Sequence, residues 1–161
     1  DLIEEVVRVH GYDAVPVRAP GGTIRLVADS ETRIDAADLA ATLAGRGYSE
    51  AINFAFVGAG LLDPWGMAAQ PVALANPLSA DLAVMRPALL PGLVAALQRN
   101  LARQQARVRL FEIGRVFAAG GEVDHIAAAA IGTARIESWG EPRRALDFFD
   151  AKGDLEALLA I

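Results

Sequence analysis

The chain has 161 residues, 53% of them hydrophobic, with a formal net charge of −5 and no cysteine. That length suits one domain, or most of one, and folding should bury roughly 70% of its extended-chain surface. The missing cysteine excludes disulfides, thiolate zinc sites and a cysteine nucleophile, and the acidic balance opposes wrapping nucleic acid by charge alone.

In chain order, "DLIEEVVRVH" (Asp1 to His10) predicts a short amphipathic helix. Leu2, Ile3, Val6, Val7 and Val9 are its apolar residues and Gly11 its terminator. "YDAVPVRAPGG" reads as a linker, because Pro16, Pro20 and paired glycines disfavour regular structure. "TIRLVA" (Thr23 to Ala28) suggests a strand. Asp29 or Ser30 then suits the cap of a helix running to about Ala44 and ended by Gly45 or Gly47. "YSEAINFAFV" (Tyr48 to Val57) predicts one strand, "GAGLLDPWG" a loop, and "PVALAN" a short strand stopped at Asn76-Pro77.

From Ala88 to about Arg103 the spacing is helical, with Leu89, Leu90, Leu93, Val94, Leu97 and Leu101 on one side and Pro91 in the first turn. "RVRLFEIGRVF" (Arg107 to Phe117) predicts a long strand. A glycine turn joins it to its hairpin partner "VDHIAAAAIG". A last helix begins near "FDAKGDLEALL". Helices interspersed with strands joined by a hairpin predict an α+β fold with a largely antiparallel sheet. The most apolar stretch, His125 to Gly132, is far short of the ~18 residues that span a bilayer, so no membrane association is expected. Acids at Asp1, Glu4 and Glu5 occupy the place of a basic n-region, so no signal peptide is expected, and with no cysteine the cytoplasm is the default compartment. Starting without methionine and stopping inside a helical pattern, the chain reads as a piece of a longer one.

Three groups of residues invite chemistry. Asp1, Glu4 and Glu5, at i, i+3 and i+4, place carboxylates along one helix edge, which suits a hard cation such as Mg²⁺; acids are also ordinary in a first helical turn. His10 and His125 have no local ligand partners and read as structural or solvent-facing. Arg86, Arg109 and Arg115 could grip phosphate or carboxylate. Strand alternation puts Arg107, Arg109 and Arg115 with Phe111, Ile113 and Phe117, and Glu112 on the other face with Val108, Leu110 and Val116. Mixed faces of this kind more often mean ion pairs around a core strand. No nucleophile–base constellation is present, and the residues alone lead only to an α+β domain.

Taken together, "DLIEEVVRVHGYDAVP", "GYSEAINFAFV", "LANPLSADLAVMRPALLPGLVAALQRNLARQQARVRLFEIGRVF" and "DFFDAKGDLEALL" closely resemble the β-subunit family of bacterial phenylalanyl-tRNA synthetase, over nearly the whole chain. The resemblance implies that residues 1–20 end a preceding small domain and linker. It makes 21–161 most of a class II synthetase-like module, an antiparallel sheet flanked by helices, that is not itself catalytic. The family's catalytic α subunit has polar residues after the arginine matching Arg86; here Ala88 and Leu90 stand among Pro87, Leu89 and Pro91. Ala118 stands where that subunit grips ATP phosphate with arginine, so Arg86, Ala88, Leu90 and Ala118 mark a vestigial site. The resemblance also implies Mg²⁺ at Asp1, Glu4 and Glu5, completed by an upstream acid. The expected partner is the α subunit in an (αβ)₂ heterotetramer, with ATP and tRNA used by the whole enzyme. Two other readings compete: a working ligase using Arg86, Arg109 or Glu112, and a nucleic-acid-binding module.

Overall fold

The computed structural model of the chain describes residues 1–19, 21–22, 34–67 and 71–161. The expected strand at Thr23 to Ala28 and the expected caps Asp29 and Ser30 lie outside them. The chain divides into two compact units, Asp1–Arg33 and Ile34–Ile161.

In the first unit, helix α1 (Leu2–His10) ends at Gly11, whose φ of 103° is one that glycine reaches without strain. A single 3₁₀ turn, Tyr12–Ala14, follows. Leu2, Ile3, Val6 and Val9 stay exposed.

The second unit begins with α2 (Ala36–Gly45). Its cap is Asp35, whose carboxylate accepts the Ala37 N–H, so this helix starts later than the sequence suggests. The single strand expected from Tyr48 to Val57 is instead two short ones, β1 (Ser49–Glu50) and β2 (Phe56–Val57), which belong to different sheets. The expected loop after Val57 contains a helical turn, α3 (Ala59–Leu62), running into a 3₁₀ turn at Asp63–Trp65. Of the expected strand at "PVALAN", one bridge forms, Ala73 to Val84 of β3 (Val84–Met85). Helix α4 (Leu90–Ala102) carries Pro91 in its first turn and buries Leu93, Ala96 and Leu97, as its spacing requires.

Strands β4 (Val108–Ala118) and β5 (Gly121–Ile131) form the expected hairpin, in unbroken register from Val108 opposite Ile131 to Ala118 opposite Gly121. The main sheet has the order β1-β4-β5; its hairpin pairing is antiparallel, as expected for most of the sheet, while the short β1 runs parallel to β4. Phenylalanine, isoleucine and alanine on one hairpin face meet α2 and α5 (Phe148–Leu159). There Phe111, Leu43 and Tyr48 form a core with Ala40, Ile113, Ile126, Ala130 and Leu158 packed around it. Burying a side chain such as Leu43 contributes about 1.5–3 kcal/mol. Asp147 and Asp150 close a reciprocal capping box at the start of α5. Among the described residues no helix is long and apolar enough to cross a membrane.

Candidate functional site

The hydrogen-bonding pattern of β4 explains where Arg86 sits. Even-numbered residues of β4 bond to β5, so the odd-numbered backbone groups face the other edge and need partners. At the start of the strand, β1 supplies one: the Phe111 carbonyl accepts the Ala51 N–H at 2.7 Å. Further along, beyond the reach of β1, Arg86 takes over. Its carbonyl accepts the Phe117 N–H at 2.9 Å, and its Nε donates to the Arg115 carbonyl at 2.9 Å. The Arg86 N–H donates to the Ala55 carbonyl at 2.9 Å, which links the antiparallel β2–β3 pair to the hairpin.

The guanidinium then reaches across β4 to Glu112. Arg86 Nη1 lies 2.5 Å from Glu112 Oε1, and the two residues are only 7% and 3% exposed. Asn53 completes the set, donating from its side chain to Glu112 Oε2 at 2.8 Å and from its backbone to Oε1 at 3.2 Å. Gly114 makes the geometry possible, since a Cβ there would stand 2.4 Å from Arg86 Nη2. Every oxygen of Glu112 is engaged, and the arginine is spent on this carboxylate and on backbone. In this arrangement Arg86 Nε and Nη1 are committed to contacts within the fold, and both Glu112 oxygens already accept hydrogen bonds.

The other face of β4 holds a second buried ionic cluster. Asp154 on α5 accepts from the Arg46 guanidinium, from the Tyr48 hydroxyl at 2.7 Å and from Arg109 Nη1 at 3.1 Å. Arg109 also donates to the Ala134 carbonyl at 2.9 Å and stacks 5.2 Å above the Tyr48 ring centre. The structure therefore brings Arg86 and Glu112 together but puts Arg109 on the opposite face. Arg115 is exposed and pairs with Glu122 and Asp124 across the hairpin. His10 and His125 are both exposed.

Burial, followed by the bond to Asp154, pushes the Tyr48 hydroxyl up to about 12 from its ordinary 10.0. Between those values the unfolded chain has lost this proton while the folded chain keeps it. The contribution to stability is therefore complete below pH 10 and declines as pH rises toward 12. An absorbance titration should show a late phenolate step that Tyr48→Phe abolishes. Appearance of the Tyr48 phenolate near pH 10 in the folded chain would contradict the bond.

Ala88 is half-buried, Leu90 and Ala118 are exposed, and none of the three side chains can donate or accept a hydrogen bond. Of the acids on α1, Glu5 is held by Arg8 at 2.6 Å in an exposed pair. Among the described residues no group of three or more His, Asp or Glu is arranged to hold a metal ion. Asp1, Glu4 and Glu5 as placed do not by themselves make a ligand set for Mg²⁺. Sequence reasoning missed Asn53, Arg46, Tyr48 and Asp154, the partners that decide what the arginines do. Gly114, the one residue between Ile113 and Arg115 without a side chain, was the available signal.

Comparison with known proteins gives consistent matches. The family "phenylalanyl tRNA synthetase beta chain CLM domain" matches residues 15–161. The chain is 55% identical to the phenylalanine–tRNA ligase beta subunit of Xanthomonas axonopodis pv. citri and 52% identical to that of Xylella fastidiosa (strain Temecula1). Both alignments cover 99% of this chain but 21% of the relative, so the chain spans about a fifth of their length. Among solved structures, a pyrrolysyl tRNA synthetase from Desulfitobacterium hafniense aligns with a TM-score of 0.57 at 19% identity, over 77% of this chain and 42% of that one. That likeness is one of fold.

Proposed function

The chain belongs to the phenylalanyl-tRNA synthetase β-chain family, and we propose that it serves there as a non-catalytic scaffold of class II synthetase-like fold, docking the catalytic α subunit. The observation that carries this reading is the buried Arg86–Glu112–Asn53 set. A charged pair whose Nε, Nη1 and carboxylate oxygens are committed to its own fold serves chiefly to stabilise a shape. Losing one such donor in an active site lowers rate about 10²–10³-fold, and Ala88, Leu90 and Ala118 offer none in replacement. ATP-dependent attachment of phenylalanine to tRNA then belongs to the whole enzyme, an (αβ)₂ heterotetramer in the cytoplasm. Mg²⁺ at Asp1, Glu4 and Glu5 is proposed only for the longer protein, where further acids would complete the ligand set.

The test is a titration of the folded chain against the cognate α subunit, with and without Mg²⁺. Saturable binding is expected, together with no phenylalanine-dependent ATP–pyrophosphate exchange by the chain alone. Exchange activity would overturn the non-catalytic part. Absence of binding by a chain that is demonstrably folded would overturn the docking part.

A further inference from the structure

A second feature of the Ile34–Ile161 unit lies away from Arg86. Arg46 follows α2, Arg107 and Arg109 open β4, Arg135 follows β5, and Arg144 precedes α5; all five wall one open cleft of about 720 Å³. Three carboxylates share it: Glu141, Asp150 and Asp154. Five positive charges against three negative leave an excess of two, in a chain whose net charge is −5. The carboxylates are already committed. Asp154 accepts from three donors, Glu141 pairs with Arg135, and Asp150 takes a two-pronged bond from Arg144.

Two arginines remain short of acceptors. Among the described residues Arg107 has no carboxylate partner and donates from Nε to the Thr133 carbonyl at 3.2 Å. Arg109 is more than nine-tenths buried, and its Nε is a buried polar atom without a hydrogen-bond partner. The cleft is also unobstructed, because Gly45, Gly47 and Gly153 line it without side chains. A Cβ at Gly47 would stand 3.9 Å from Arg107 Nη2, and one at Gly153 3.6 Å from Arg46 Nη2, so both guanidinia lie beside bare backbone.

We propose that this cleft binds a phosphate-bearing anion, with Arg107 as its principal contact and the carboxylate-paired Arg46 and Arg135 contributing positive charge at its walls. Planar guanidinium forks match phosphate oxygens in pairs, and a doubly charged oxyanion would balance the local excess. The volume exceeds that of one phosphate group, and Phe149, three-quarters exposed at the cleft wall, offers a ring to the remainder of the ligand. The phosphate could be that of a free pyrophosphate or of a nucleic-acid backbone.

Calorimetric titration of the chain with inorganic pyrophosphate and with a single-stranded oligoribonucleotide, at two salt concentrations, tests it. Saturable binding of at least one probe is expected. Arg107→Glu should weaken it at least tenfold, Arg107→Gln less, and Arg115→Ala, on the distant hairpin end, should leave it unchanged. Tighter RNA binding with a steep salt dependence would identify the backbone source, and pyrophosphate binding alone the free one. No saturable binding of either probe by folded chain would overturn the site, as would equal losses in the Arg107 and Arg115 variants. Circular dichroism of each variant separates lost binding from lost fold.

Discussion

Replacing Arg86 by methionine is expected to destabilise the chain by about 3–5 kcal/mol, because it strands Glu112 in a site where that residue is 3% exposed. The Arg115 carbonyl loses its donor in the same step, which adds to the loss. Glu112→Leu should be comparably damaging, since it leaves the guanidinium and the Asn53 amide without an acceptor. The double variant Arg86→Met/Glu112→Leu should recover part of the loss, as removing a buried pair together is far less costly than removing one partner. Recovery stays incomplete because Asn53 and the Arg115 carbonyl are still orphaned. Urea unfolding of the four proteins gives the coupling energy directly. Single variants losing less than about 1 kcal/mol would mean that solvent reaches the pair, and the saturated-site argument would fail.

That experiment depends on contacts of a kind the sequence conceals. The β4–β5 hairpin was legible because alternation and a glycine turn are local signals, and α4 was legible because its leucines repeat at helical spacing. The break between β1 and β2 was not. Residues 48–57 have a strand's composition, yet Asn53 leaves the sheet to bond Glu112, 59 residues away. Asp154 carries no local signal of its role, since only the fold brings it to Arg46, 108 residues earlier. The parallel pairing of β1 with β4 is a matter of tertiary connection, on which alternation is silent. Of the candidate site, the expectation of ion pairs around a core strand describes what Arg86, Arg109 and Glu112 do. Which charge meets which, and from which face, needed the topology.

Gly132→Ala is expected to have the largest single effect. Gly132 follows β5 with φ at +100°, and a Cβ there would stand 2.1 Å from the Ala106 carbonyl oxygen and 2.9 Å from Arg107 Cα. Both atoms are backbone, so no flexible side chain can move aside. The Gly132 carbonyl also accepts the Leu146 N–H at 2.9 Å, and displacing it loosens the segment that leads into α5. A loss above about 4 kcal/mol follows, which is exceptional for a methyl group. Two other glycines separate its causes. Gly121 has φ of +124° with nothing within 4 Å of a built Cβ, so Gly121→Ala meets strain alone and should lose about 1–3 kcal/mol. Gly120 has neither a positive φ nor a neighbour within 4 Å, and Gly120→Ala should be near neutral. Denaturant midpoints in the order Gly120→Ala, Gly121→Ala, Gly132→Ala, with the last at or beyond the limit of folding, are the expected result. A Gly132→Ala chain no less stable than Gly121→Ala would show that the entry to β4 yields to the new methyl, and that the close backbone approach there is not required by the fold.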